Sequence, residues 1–367
     1  MLGDALRVFS LRMDKRWYHL ADILVNYSTV VEAGDRVMVA MKEIETLPLA
    51  RAVYEEAVKA GAYVQVQFLS DYLRHSLMRY GSREQVEWVP EIEAYGLEWA
   101  DVYIGLRGAH NLHEFADVEP GVLAVHRRAM GEISAMRWGK TRWCLVRVPN
   151  ESFAQQAETD VETITDFFFE ATLRDWASEA RRWHEIASAL EEGDQVRLTG
   201  RETDLCFSTV GRKWMVGDGQ FNMPDGEIYT APVNSTLNGT IYFEFPGILG
   251  GRQVQDIRLT WRDGELVDAS AVENEAFLHH ILATDSGSSL LGEFGIGTNY
   301  GLDRFCRDIL IDEKIGGTVH IALGRAYPEC GGTNRSALHW DIIKDTREEG
   351  AIYLDGRKVF ERGRFLV

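Results

Sequence analysis

The sequence predicts an α/β N-terminal domain with a parallel sheet and an α+β C-terminal domain with a mostly antiparallel sheet. Three observations predict it: a strand–helix–strand pattern from residue 36, a long helical stretch that ends near residue 192, and glycine-punctuated strands after it. We therefore assign residues 1–192 to the α/β domain and residues 193–367 to the α+β domain. The length of 367 residues agrees, because one hydrophobic core rarely serves so long a chain.

The first half contains a βαβ unit. Residues 36–40 are a short apolar strand, and Pro48 lies near the start of a helix whose apolar residues recur at helical spacing. Gly61 is placed to end that helix, and residues 64–69 form the next strand. A strand, a helix and a strand within this length predict a parallel pair with a right-handed crossover. Further strands are predicted at residues 101–106 and 143–148.

The predicted secondary structure changes from helices to strands near residue 193. Residues 161–192 are predicted to be mostly helical, with bulky apolar side chains spaced for one buried face. The run Glu191–Asp194 ends this stretch, and strands dominate from there. These strands are expected at residues 195–199, 205–209, 240–245, 255–261 and 319–323, with one helix at residues 272–284.

Composition excludes several classes of protein. Hydrophobic residues make up 45% and charged residues 26%, which is typical of a globular chain with a large core. The formal net charge of -18 and the lack of a basic stripe argue against a nucleic-acid partner. The acidity instead favours a site that attracts cations or a substrate amine.

Cysteine spacing and the N-terminal charges indicate a cytoplasmic protein. The four cysteines are isolated and form no CxxC, which argues against a zinc knuckle or a redox pair and fits a reducing compartment. Arg7, Arg12, Lys15 and Arg16 with no long apolar run argue against a signal peptide. No stretch reaches the roughly 20 apolar residues that a membrane span needs, so we expect no membrane partner.

Five side chains of the metal-ligand type occur in the last third of the chain. His339 and Asp341 flank Trp340, so on a strand the two would face one cation while the tryptophan packs on the other side. The other three are Glu227 after the turn Pro224-Asp225-Gly226, Glu293 in a glycine-rich stretch, and His320 in an apolar strand.

The co-occurrence of these residues carries the interpretation. Each one alone is typical of a surface or structural side chain. Together, three carboxylates and two imidazoles suit zinc, cobalt or manganese, and a pair of cations about 3.5–4 Å apart activates water for hydrolysis. The chain has no phosphate-binding GxxxxGK[ST] loop, no HExxH and no GxSxG, so nucleotide, zincin and serine-hydrolase chemistry lack support.

The same segments resemble the thermophilic aminopeptidase T and aminopeptidase S family of metallopeptidases. The likeness is close over residues 222–232, 285–299, 312–327 and 331–341, and it continues weakly through the N-terminal half. It thus spans nearly the whole chain.

The resemblance implies an enzyme that releases N-terminal amino acids from peptides with two divalent metal ions. The ligand motifs of the family fall on Glu227, Glu293, His320, His339 and Asp341. Its site tyrosine, seven residues past the first histidine, falls on Tyr327, which is placed to donate a hydrogen bond to the oxyanion. Either Glu293 or Glu227 then serves as the proton shuttle. The resemblance also implies a homodimer of two-domain subunits with an enclosed chamber.

Two other functions stay open at this point. Relatives on the scaffold include an enzyme with one non-haem iron that opens a dihydroxypyridine ring, and His320, His339 and Asp341 offer the two imidazoles and one carboxylate of such a site. The presence of both Glu227 and Glu293 favours two metals and hydrolysis. A non-enzymatic protein that keeps only the fold is the other alternative, and the complete ligand set argues against it.

Overall fold

The computed structural model describes residues 13–137 and 139–367. Arg7 and Arg12, which contribute to the argument against a signal peptide, lie outside the described residues. The α-helices, in chain order, are α1 (Lys15–Asp22), α2 (Leu47–Lys59), α3 (Asp71–Tyr80), α4 (Arg83–Glu87), α5 (Glu91–Trp99), α6 (Pro120–Ala135), α7 (Glu151–Gln156), α8 (Val161–Thr172), α9 (Trp176–Leu190), α10 (Glu275–Leu282) and α11 (Ile309–Asp312). None of the helices in these ranges is long and apolar enough to cross a bilayer.

Most of the strands lie in the second half of the chain. In chain order they are β1 (Arg36–Lys42), β2 (Tyr63–Leu69), β3 (Val102–Arg107), β4 (Arg142–Arg147), β5 (Gln195–Gly200), β6 (Thr203–Ser208), β7 (Met215–Gly217), β8 (Asn222–Met223), β9 (Glu227–Thr230), β10 (Val233–Tyr242), β11 (Gly247–Leu249), β12 (Arg252–Val254), β13 (Arg258–Arg262), β14 (Glu265–Ser270), β15 (Leu291–Gly297), β16 (Thr318–Gly324), β17 (His339–Asp345), β18 (Gly350–Leu354), β19 (Arg357–Glu361) and β20 (Arg364–Phe365).

Two compact units contain these elements. The first extends to Arg174 and includes Gly219–Pro224, and the second consists of Asp175–Asp218 and Asp225–Val367. The division into domains after residue 192 stays a prediction.

The first unit is built on a parallel sheet with the order β2-β1-β3-β4-β8. The five central residues of β1 are all buried, which is typical of a strand covered on both faces by helices. Pro48 lies in the first turn of α2, and Gly61 with φ of +88° follows its end. The predicted βαβ unit is confirmed.

Residues 161–192, which were predicted to be mostly helical, contain two helices. α8 ends at Thr172, and α9 begins after Asp175, whose carboxylate accepts a hydrogen bond from the Ser178 amide at 3.1 Å. This N-cap starts a new helix at the point where the first one ends.

The second unit contains three antiparallel sheets. The largest has the strand order β14-β13-β10-β6-β5-β18-β19-β20, another has the order β17-β16-β15-β9-β7, and the smallest is the hairpin β11-β12. Phe207 of β6 and Phe294 of β15 are in edge contact with ring centroids 5.0 Å apart, so the two larger sheets share a core. A parallel first sheet and antiparallel later sheets confirm the predicted fold class.

Candidate metal centre

Four neighbouring strands of one sheet supply the five predicted ligands. Glu227 begins β9, Glu293 lies on β15, His320 on β16, and His339 and Asp341 on β17. These strands are consecutive in the order β17-β16-β15-β9, so residues far apart in sequence become neighbours. The structure thus brings all five together.

The strand register puts these side chains on one face of the sheet. Asp341 is paired with Ala322, which is paired with Glu293, and His320 is paired with Gly295. Directly paired residues point to the same side. The small residues Ala322 and Gly295 leave room there for the larger polar groups. The opposite face is buried and mostly apolar, and it includes Phe294, Ile321, Leu323, Trp340 and Ile342.

The candidate ligand atoms form two groups that share Glu293: the Glu227 group of Glu227, Glu293 and His320, and the Asp341 group of Glu293, His339 and Asp341. In the Glu227 group, Nε2 of His320 lies 3.3 Å from Oε1 of Glu293 and 3.4 Å from Oε2 of Glu227. In the Asp341 group, Nε2 of His339 lies 3.3 Å from Oδ2 of Asp341 and 3.7 Å from Oε2 of Glu293. Within each group one ligand atom per residue lies within 4.8 Å of the others. Glu293 therefore presents one carboxylate oxygen to each group.

Two polar atoms support the fit of these residues to cations. Among the described residues, Oε2 of Glu227 is buried without a hydrogen-bond donor, so an acceptor in the Glu227 group lacks a partner that a cation would supply. His339 donates from Nδ1 to the Arg325 carbonyl at 2.7 Å, which leaves Nε2 directed at the Asp341 group, where it can bind a cation once it has lost its proton. One imidazole and two carboxylates in each group are ligands that zinc, cobalt and manganese accept.

The electrostatics of the site are those of tightly packed charges. Burial raises the pKa of Glu227 to about 8, although the nearby Lys314 opposes the shift. Burial alone would lower the pKa of His320, but its hydrogen bond to Glu293 and the charge of Glu227 outweigh burial and raise it to about 9. His339 likewise reaches a pKa of about 10, because Asp341 outweighs burial. Cation binding to these groups therefore releases protons.

A buried lysine beside the site was not predicted. The ammonium of Lys314 is fully buried and lies 3.4 Å from Oε1 of Glu227 and 4.0 Å from Oδ1 of Asp225, and it pairs with Glu313. The sequence signal was the charged run Asp312–Lys314, which lies shortly before the apolar strand β16. A search for ligand-type side chains overlooks it, because a protonated lysine offers no lone pair.

Tyr327 lies beside the Asp341 group. Its ring is in edge contact with the His339 imidazole, with centroids 5.1 Å apart, and with Tyr229 at 6.0 Å. Burial raises the pKa of the Tyr327 hydroxyl, and the charges of Glu293 and Asp341 raise it further, so the hydroxyl keeps its proton and can donate it in a hydrogen bond. Tyr229, a second residue that sequence reasoning missed, packs with Tyr327 on a small core of Ala231, Ala326 and Cys330.

Known proteins resemble this chain along most of its length. Aminopeptidase 2 of Geobacillus stearothermophilus is 24% identical over 383 residues, which cover 90% of this chain and 92% of that protein. The solved structure of wild-type AmpT from Thermus thermophilus is similar with a TM-score of 0.85 and 23% identity, covering 96% of this chain and 99% of that one. The structure of 2,5-dihydroxypyridine dioxygenase from Pseudomonas putida KT2440 is similar with a TM-score of 0.63 and 15% identity, covering 96% and 97%.

The two structural likenesses show the fold alone, because a shared fold carries different chemistries. The sequence profile of the thermophilic metalloprotease (M29) family matches residues 13–365. That match covers nearly the whole chain, and it shows that this protein belongs to the M29 family of thermophilic metalloproteases.

Proposed function

We propose that the protein is an aminopeptidase that uses two divalent metal ions to remove N-terminal amino acids from peptides. The observation that carries this proposal is the shared position of Glu293 between the Glu227 group and the Asp341 group. A carboxylate with one oxygen in each of two adjacent groups is suited to bridge a pair of cations. The similarity to aminopeptidases over most of the chain supports the choice of a peptide substrate.

The chemistry is divided between the bound ions and the protein. The ions would supply a water of lowered pKa and polarise the scissile carbonyl. Glu227, Glu293, His320, His339 and Asp341 would hold them. Either Glu227 or Glu293 would carry the proton from the attacking water to the leaving amine. The excess of carboxylates also favours a substrate with a free, positively charged N-terminus.

Tyr327 would act on the developing oxyanion. Its hydroxyl belongs to a ring that packs on His339, at the side of the Asp341 group. A neutral phenol in that position can donate a hydrogen bond to an oxygen that gains negative charge in the transition state.

Elemental analysis combined with an aminopeptidase assay tests the proposed function. We expect about two zinc, cobalt or manganese ions per chain and turnover of an aminoacyl p-nitroanilide. Exhaustive chelation should abolish turnover, and a divalent ion should restore it. Activity that persists after chelation and dialysis would contradict the metal-dependent mechanism.

The iron dioxygenase alternative predicts a different metal content. A mononuclear iron site needs two imidazoles and one carboxylate facing one cation. In both groups of the described residues, however, one imidazole is combined with two carboxylates. This composition favours hydrolysis over the dioxygenase. About one iron per chain and no peptidase activity would reverse that preference.

Assembly and location are further proposals from the resemblance. We propose a homodimer in the cytoplasm, in which each subunit has its own copy of all five ligands. Sedimentation or light scattering of the purified protein measures the assembly directly, and a monomer at cellular concentration would contradict it.

A further inference from the structure

Lys314 places a positive charge beside the Glu227 group. Its side chain is 0% exposed, and Glu227, Asp225 and Glu313 surround the ammonium. Moving an ammonium out of water is costly unless carboxylates surround it. Three of them do so here, so the lysine is a charged component of the site and not a solvated surface group.

The lysine contacts one ligand group and not the other. Its ammonium lies 3.4 Å from Oε1 of Glu227, the carboxylate whose other oxygen faces His320. Across the residues that the structure describes, the ion pairs of Asp341 and Glu293 involve only histidines, and no lysine or arginine is within 4.0 Å of either. The two groups are matched in composition, since each has two carboxylates and one imidazole.

This asymmetry has a direct electrostatic consequence. A fixed positive charge beside a ligand oxygen repels an incoming cation and withdraws electron density from that carboxylate. Resting on the proposed two-metal function, we propose that Lys314 makes the Glu227 group the weaker of two metal sites, so that the Asp341 group fills first. Hydrolysis, which needs both ions, then depends on free metal concentration through the second binding step.

A metal titration of the metal-free protein with Co²⁺ tests the proposal without relying on activity. For the unaltered protein we expect two binding steps that differ in affinity. In Lys314→Met the weaker step should become tighter by roughly tenfold or more, while the tighter step changes little. Lys314→Gln removes the same charge and keeps hydrogen-bond donors for the surrounding carboxylates, so it should have the same effect.

Lys344 provides a matched control. It is also a fully buried lysine, and it pairs with Glu244 at 2.9 Å. It lies on β17, but its position in the strand puts it on the face opposite His339 and Asp341. Lys344→Met should leave both binding steps unchanged. If it shifts the weaker step as much as Lys314→Met does, the effect comes from a general loss of stability and the proposal is wrong.

The outcomes separate this proposal from the proposed function. An unaltered protein that binds about one ion or none contradicts the two-metal function itself. Two binding steps whose separation is the same in Lys314→Met and the unaltered protein overturn only the role of Lys314. If neither Lys314→Met nor Lys314→Gln folds, crystals of the unaltered protein are grown with about one equivalent of Co²⁺. Anomalous scattering then shows which group binds the first ion. A first ion at Glu293, His339 and Asp341 supports the proposal, whereas an ion at Glu227 and His320 or equal occupancy overturns it.

Discussion

Gly295 lies directly opposite His320 in the antiparallel pair of β15 and β16. A Cβ at position 295 would come within 2.1 Å of Nε2 of His320. The imidazole therefore occupies the space that any other side chain at position 295 would need. The glycine sets the position of Nε2, the atom that faces Glu227 and Glu293.

Gly295→Ala should displace His320 and weaken metal binding. Forcing a methyl group into this contact should lower the free energy of unfolding by about 1–3 kcal/mol. Metal content by elemental analysis and peptidase turnover should both fall. Gly131→Ala is the matched control, because Gly131 lies within α6 with nothing within 4 Å of the added Cβ. The free energy of unfolding of Gly131→Ala should rise by up to about 1 kcal/mol. Normal metal content in Gly295→Ala would contradict the assigned role.

Asp341→Ala should abolish metal uptake by the Asp341 group and reduce peptidase activity to background. The carboxylate lies 3.3 Å from Nε2 of His339, so its removal takes away one of the three candidate ligands of the group. His339→Ala should have the same effect. Circular dichroism should show that both variants fold. Turnover of an aminoacyl p-nitroanilide by Asp341→Ala at the unaltered rate would disprove the assignment.

Asp345→Ala is the control for both of these variants. Asp345 lies four positions past Asp341, on the same face of β17. Its carboxylate pairs with Arg347 at 2.6 Å. Its loss should leave metal content and turnover intact. A similar loss of activity in Asp345→Ala would show that any carboxylate deletion on this strand is damaging.

The sequence was sufficient to predict the fold class because the class depends on local patterns, and the same patterns pointed to five candidate ligands that the structure brings together. Alternation along a strand puts His339 and Asp341 on one face, and the structure has them 3.3 Å apart at their ligand atoms. Trp340 packs on the other face, as the pattern predicts, and donates to the Ile248 carbonyl at 3.1 Å.

Features that depend on long-range contacts were not predictable. The contact of Lys314 with Glu227 joins residues from different strands and loops, and nothing in their spacing indicates it. Strand ends also differed: the strand expected at residues 240–245 is the end of β10, Val233–Tyr242, and the one expected at 255–261 is Arg258–Arg262. Tertiary pairing, more than local propensity, sets where such strands begin and end.

Tyr327→Phe should reduce turnover without removing metal. The substitution deletes one hydroxyl and keeps the ring that packs on His339. If the hydroxyl stabilises the oxyanion, kcat should fall by roughly 100-fold while KM and metal content stay close to their original values. Tyr300→Phe is the control, since the Tyr300 hydroxyl donates to the Gly363 carbonyl at 2.8 Å and serves the fold. An equal fall of kcat in both variants would rule out a specific role for Tyr327.

Asp285→Asn should remove a pH-dependent part of the stability. Asp285 holds the segment before His339, since its carboxylate accepts hydrogen bonds from the Ala337 amide at 2.8 Å and the Ser336 hydroxyl at 3.0 Å. These hydrogen bonds lower the pKa of Asp285 from 3.8 to about 2. A carboxyl group whose pKa is depressed in the folded state contributes stability above its unfolded pKa, and the contribution is lost as pH falls through the folded value.

Thermal unfolding of the two proteins at a series of pH values checks this prediction. The unaltered protein should have the higher Tm from neutral pH down to about pH 4, and the difference should shrink between about pH 4 and pH 2. Both proteins lose their other carboxylate interactions in that range, so only the difference between their Tm values reports on Asp285. A difference that stays constant down to about pH 2 would mean that the charge of Asp285 does not stabilise the segment before His339.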